Sequence, residues 1–182
     1  MTITIIVLAL VLLIVLWLIA AQRKLVSAEE ICKNSLSQIG VQQNSRWDAL
    51  TALAELTKGY DEHEYKTLMD IIGQRTAIGR NATAADVQGN EEKMAAALRQ
   101  INMVAEQYPN LKASEMYAKT MDSVNTYENQ VRMSRMVYND SVTKYNRMVR
   151  QFPDSIAASI FRFAQRDYLA EPKCKTEMPS MR

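Results

Sequence analysis

The residues best equipped for chemistry in this chain are few and poorly arranged for it. The single histidine, His63, stands between Glu62 and Glu64 at the head of the run HEYKT. A zinc-hydrolase helix would carry a second histidine four residues on, so that two imidazoles share one face, and position 67 is a threonine. Tetrahedral zinc takes three or four protein ligands, so a solvated charge cluster in a first helical turn is expected, and no metal. Cys32 and Cys174 lie far apart, and neither is paired by spacing with an imidazole that could draw off its proton. No disulfide framework follows from them, which suits a reducing compartment. Gly73, Gly79 and Gly89 do not form a phosphate-cradling loop. No catalytic residue, cofactor or small-molecule substrate is therefore expected, and an enzyme is disfavoured. The net charge of +2, with both signs interspersed, provides no basic field for nucleic acid.

Two charges are more pointed. From Asn110 to Phe152 no glycine or proline occurs, and Tyr117, Val124, Val131, Tyr138, Tyr145 and Phe152 recur every seven residues. The second position of that seam reads Met121, Glu128, Arg135, Val142, Val149. A charge in a packed seam must be paired or solvated. The expectation is that Glu128 and Arg135 pair with facing helices and fix register, with Arg75 and either Glu55 or Asp48 as candidate partners. The alternative is a polar groove that binds a partner. In the paired case Glu128→Ala should cost about 3 kcal/mol, because a buried cation is left behind.

The element that positions everything else is N-terminal. From Ile3 to Ala21 every side chain except Thr4 is apolar, through Ile5, Leu12 and the interfacial aromatic Trp17. Nineteen helical residues reach roughly 28 Å, the thickness of a bilayer's hydrocarbon core. A cleaved signal peptide would have a basic leader, a shorter core and a small residue where Leu18 stands. A retained anchor over residues 1–22 is expected. Arg23, Lys24 and Lys33 follow the span and nothing basic precedes it. This places the N-terminus outside and the remaining domain in the cytoplasm, at an inner (plasma) membrane. The two Asn-x-Ser/Thr triplets, at Asn81 and Asn139, are then chance matches.

Beyond the anchor the pattern is helical throughout. Only five glycines and four prolines occur in 182 residues, a composition suited to long helices. Leu25, Cys32, Leu36, Ile39, Leu50 and Leu53 continue the first helix past Gly40, which should cost about 1 kcal/mol against alanine, to a left-handed cap at Gly59. A second helix is expected from Glu62 to Ile78, with Tyr65, Leu68, Ile71, Ile72 and Arg75 on one face. Thr83, with Asp86 behind it, should cap a third, whose seam is Val87, Met94, Ile101 and Tyr108, closed by Pro109. The long fourth helix ends at Pro153, and Asp154 can cap a short apolar turn to Phe163. The eleven methionines and the tyrosines are read as core. The expected fold is all-α: an anchor continuous with an antiparallel, coiled-coil-like four-helix bundle over 23–169, two helices long and two short, and a disordered tail over 170–182.

Three blocks carry a resemblance: SQIGVQQNSRWDALTALAELTKGYDEHE (Ser37 to Glu64), YPNLKASE (Tyr108 to Glu115) and YNDSVTKYNRMVRQFPDSIAASIFRF (Tyr138 to Phe163). In order and spacing they resemble LemA-family membrane proteins. The doublet of Tyr-Asn at 138–139 and 145–146, followed by Phe152-Pro153, is the most specific part. The resemblance implies one N-terminal anchor, a cytoplasmic antiparallel helical bundle and no enzymatic activity. The chain departs from the family pattern at Thr51 (commonly proline, so a kink is lost), Leu36 (tryptophan), Gly40 (aspartate) and Arg162 (glycine). Two functions fit a catalytically empty sequence in a bilayer. One is a membrane-tethered scaffold or adaptor, self-associating or bound to a membrane or cytoplasmic protein. The other is an accessory subunit of a membrane enzyme such as a protease.

Overall fold

The computed structural model describes residues 1–79 and 82–170. Among these, every regular element is a helix: α1 (Thr2–Thr57), α2 (Glu62–Gly73), α3 (Ala84–Gln107), α4 (Pro109–Lys112), α5 (Glu115–Arg150) and α6 (Asp154–Ile160). One of the six, α4, was not separated by the sequence pattern. Pro109 begins a single turn of its own at the first helical position, where its missing N–H costs nothing, so the long helix starts only at Glu115. α6 is the short apolar turn expected after Pro153, but Asp154 sits inside it and makes no capping bond.

α1 runs without interruption for 56 residues, about 84 Å. Its side chains before Trp17 all stand exposed. It is one helix long and apolar enough at its N-terminal end to cross a membrane. The heptad residues beyond that span are all buried: Leu25, Cys32, Leu36, Ile39, Leu50 and Leu53. Thr51 does not interrupt α1; its hydroxyl donates to the Trp47 carbonyl at 2.9 Å, one turn back. The stop differs from expectation. α1 ends at Thr57 with Lys58 in right-handed conformation, and no glycine among the described residues has positive φ. Gly59 is therefore no left-handed cap. The turn is closed instead by Tyr60 and Asp61 N–H groups donating to the Thr57 carbonyl.

α5 returns along α1 in the opposite direction. Arg46 meets Glu128, Ser35 meets Ser141, and Ala21 and Leu25 cluster with Met148 and Val149. Its seam residues Tyr117, Val124, Val131, Tyr138 and Tyr145 are buried as the spacing predicts, whereas Phe152 lies past the helix end and is 80% exposed. α2 and α3 complete a core with the far half of α1, around Trp47, Leu50, Leu68, Met94 and Ile101. Asp61 caps α2 by accepting from the His63 and Glu64 N–H groups, and Thr83 with Asp86 forms the expected capping box of α3. α2 stops at Gly73, five residues short of Ile78. The loop after it is hydrogen-bonded to α3. Asn90 of α3 accepts from the Thr76 N–H and donates to the Thr76 carbonyl, and Lys93 donates to the Gln74 carbonyl at 2.7 Å.

Candidate functional site

The two seam charges separate into different structures. Glu128 accepts from Arg46 at 3.1 Å, and Arg46 also donates to Glu91 of α3 at 3.2 Å. Gln43 donates to the same Glu91 at 2.8 Å. The Arg46 side chain is 5% exposed and Glu128 51%, so the cation is the buried member and the acid leads out to solvent. This layer links side chains of α1, α3 and α5. The partner differs from expectation. Arg75, past the end of α2, does not reach either seam charge; it pairs with Asp48 at 3.1 Å on the surface, where both are largely solvated. Arg46 was within reach of the heptads, since it falls on the seven-residue series Leu25, Cys32, Ile39, Arg46 and Leu53, with Gln43 on the second series between Leu36 and Leu50; only the apolar members were read as that seam.

Arg135 belongs to a second construction, which the spacing of α5 builds. After α6 the chain runs as an extended strap, residues 164–170, back along α5. Tyr145 donates its hydroxyl to the Ala164 carbonyl at 2.8 Å; the Asn146 amide donates to the Arg166 carbonyl and accepts from the Arg166 N–H, both at 2.9 Å. One heptad earlier the same pair repeats the pattern. Tyr138 donates to the Asp167 carbonyl at 3.1 Å, and Asn139 makes the two-way bond with the Leu169 backbone at 3.0 and 2.9 Å. Arg135 closes the row on the Ala170 carbonyl. Seven helical residues advance about 10.5 Å, and three extended residues about 10 Å, so each heptad step of α5 matches three residues of strap.

The strap is also tied to α1. Arg166 donates to Glu29 at 2.9 Å, with Lys33 at 3.4 Å from the same carboxylate. Burial works to raise the Glu29 pKa, but the Arg166 hydrogen bond and the Lys33 charge outweigh it and hold the carboxyl below its ordinary value. Leu169 is buried against Ala28, Cys32, Tyr138 and Tyr145. Burial pushes the Tyr138 and Tyr145 hydroxyls up, so both stay protonated and donate. Burial likewise pushes the Cys32 thiol up, the opposite of what an activated nucleophile needs. His63 lies exposed in the first turn of α2, its N–H spent on Asp61. Among the described residues no three His, Cys, Asp or Glu side chains converge on a metal-sized site. The arrangement holds a chain in place.

Residues 35–182 match the LemA family. The chain belongs to the LemA family. No curated protein matches it. In this LemA-family chain the Tyr-Asn doublet, the most specific part of the resemblance, is the set of side chains that holds the strap. The departures from the family pattern also find places. Leu36 is fully packed in the core and Gly40 lies under the α2–α3 loop. Arg162, where a glycine is usual, has φ 60°. There it serves as the left-handed residue after α6, with the Phe163 N–H donating to the Ala158 carbonyl at 2.9 Å. Of the two glycosylation triplets, Asn139 is occupied by the strap, and Asn81 lies outside the described residues, as does the expected tail apart from Ala170.

Proposed function

We propose that this LemA-family protein is a membrane-tethered, non-enzymatic scaffold or adaptor. Its single anchor leaves the N-terminus outside and an antiparallel four-helix bundle in the cytoplasm at a bacterial inner membrane. α1 and α5 are the long helices and α2 and α3 the short ones. α4 and α6 are turns appended to it.

The observation that carries the reading is an apolar strip along the outer junction of α1 and α5. Ile31, Met133 and Val137 stand more than half exposed there, with Ser35, Gln38 and Ser134 between them. Contiguous exposed apolar surface on a polar-rimmed groove marks protein contact. It runs parallel to the anchor, so a second copy in the same membrane can meet it across a two-fold axis without leaving the bilayer. Photocrosslinkers at Ile31 and Met133, activated in native membranes, test this. Homotypic dimers support the self-associating scaffold. One dominant heterologous band that purifies with a membrane enzyme makes the protein an accessory subunit instead. The absence of any crosslink at either position rules out this strip as a docking surface.

A further inference from the structure

The chain's course fixes which end of the domain meets the membrane. α5 descends along α1 towards the anchor, the strap climbs away from it, and residues 151–163 form the reversal between them. α6 is in that reversal. Its Ala157 and Ala158 are buried against Ala21 and Leu25, with Trp17 and Leu18 packed at the edge of the same cluster. α6 therefore sits level with the last turns of the apolar span.

The other side of this reversal is unusual for a surface in water. Phe152, Ile156, Ile160 and Phe161 are 80%, 46%, 57% and 45% exposed, four large apolar side chains within ten residues. Arg150 and Arg162 flank them in sequence, and Arg23 and Lys24 lie in α1 between Ala21 and Leu25, on which α6 packs. All four are exposed and none is in an ion pair among the described residues, and Asp154 is the one acid of residues 151–163. Exposed apolar side chains flanked by cations form the pattern of an element lying in the interface of an anionic bilayer. We propose that α6 and the flanking Phe152 and Phe161 form a second membrane contact. This is an interfacial foot that enters the headgroup region beside the anchor and fixes the bundle's tilt on the membrane. The proposal rests on the reading of residues 3–21 as a membrane span, because continuity with that span puts lipid, rather than another protein, against the face.

The test uses the full chain reconstituted in bilayer nanodiscs of phosphatidylcholine with phosphatidylglycerol. Nitroxide labels go singly at Phe152→Cys, Ile156→Cys and Ile160→Cys in a Cys174→Ser background; Cys32, fully buried, stays. Leu12→Cys reports the anchor. Lys119→Cys, on the α5 end about 46 Å from Arg150, reports water. Circular dichroism confirms that each variant keeps the parent's helicity. The readout is the ratio of collision with oxygen, which concentrates in lipid, to collision with a water-soluble nickel chelate. Labels at 152, 156 and 160 should give a ratio several-fold above that of Lys119 and on the same side as Leu12. The ratio should fall when phosphatidylglycerol is replaced by phosphatidylcholine.

Leu12 in lipid with 152, 156 and 160 as wet as Lys119 overturns the foot and leaves the anchor standing. Leu12 as wet as Lys119 overturns the anchor reading itself. Spin–spin broadening at Ile156→Cys that vanishes on dilution with unlabelled protein means a second copy covers the face, and also overturns the foot. Equal ratios in neutral and anionic bilayers strike out the flanking cations' part in it.

Discussion

Replacing Gly40 by alanine should destabilise this protein, although helix propensity says the reverse. Gly40 lies inside α1, where alanine is favoured by about 1 kcal/mol. A Cβ built there falls 2.3 Å from the Ile78 carbonyl oxygen and 2.9 Å from the Ile78 Cβ. The blocking atom is backbone, and it must retreat by about 1 Å to regain ordinary contact. The loop that carries it is held from the other side by Asn90 and Lys93 bonding to its backbone. Overpacking of a held site costs about 1–3 kcal/mol, and a pinned backbone puts this one at the upper end. After the propensity gain is subtracted, Gly40→Ala should lose about 2 kcal/mol, a fall of roughly 4–8 °C in Tm for a chain of this size.

Gly89 is the control. It lies inside α3 with nothing within 4 Å of its built Cβ. Gly89→Ala should therefore raise Tm by roughly 2–4 °C through propensity alone. Both variants and the parent would be melted as full chains in the same detergent, followed by far-ultraviolet circular dichroism. Opposite signs for one and the same substitution are the expected result. A rise in Tm for Gly40→Ala would refute the reasoning, because the 74–79 loop would then be yielding freely and could not be what ends α2 at Gly73.

The remaining expectations concern the two polar constructions and the turn between them. Glu128→Ala should cost under about 1 kcal/mol, well below the value expected from the heptads, because Glu128 is half solvated and Arg46 keeps Glu91. Arg46→Ala should cost roughly 3 kcal/mol, and a double-mutant cycle in urea separates the two. Asn139→Ala and Asn146→Ala should each cost about 1–3 kcal/mol. Hydrogen exchange should show the Leu169 and Arg166 amides losing protection respectively. Arg162→Gly should raise stability by about 1 kcal/mol, by relieving the left-handed strain at φ 60°. The Glu29 pKa lies below its ordinary 4.5 when folded, so its contribution is complete above 4.5 and is lost as pH falls through the lower folded value. Acid should release the strap over that window, seen as faster exchange of the Arg166 amide, and Glu29→Gln should abolish this pH dependence.

The helices were legible because their signals are local. Seven-residue spacing found the buried face of α1 and α5, and a threonine with an aspartate three residues on found the start of α3. What escaped depends on atoms that meet only after folding. Gly73 ends α2 because Asn90, fourteen residues beyond Thr76, satisfies the loop backbone, and no property of residues 74–78 announces that. Gly40 read as a weakness of α1 because propensity is a property of one helix, whereas its use is to admit a second backbone. Arg46, by contrast, was legible. It stands on the α1 series Leu25, Cys32, Ile39, Arg46 and Leu53, the same kind of position that singled out Glu128 and Arg135, and a search of both seams for charges would have paired it with Glu128.

The strap shows most clearly where sequence reading reaches its limit. The repeated Tyr-Asn pair was visible as a pattern, and its period matched the helix seam, so packing accounted for it fully. Packing needs only the tyrosines. The asparagines are the surplus, since an amide on a buried face must find both a donor and an acceptor. A peptide unit supplies both at fixed spacing. An extended chain running alongside at three residues per step meets that need at every seven-residue step of the helix. Only one stretch of the described chain, 164–170, lies beyond the last helix and meets that requirement. The strap holds the C-terminal end of the described chain up against the bundle. At its other end it is continuous with α6, which packs against Ala21 and Leu25 at the end of the apolar span. The side chains that bind the strap thereby help to hold the apolar turn beside the last turns of the apolar span, although none of them is part of that turn.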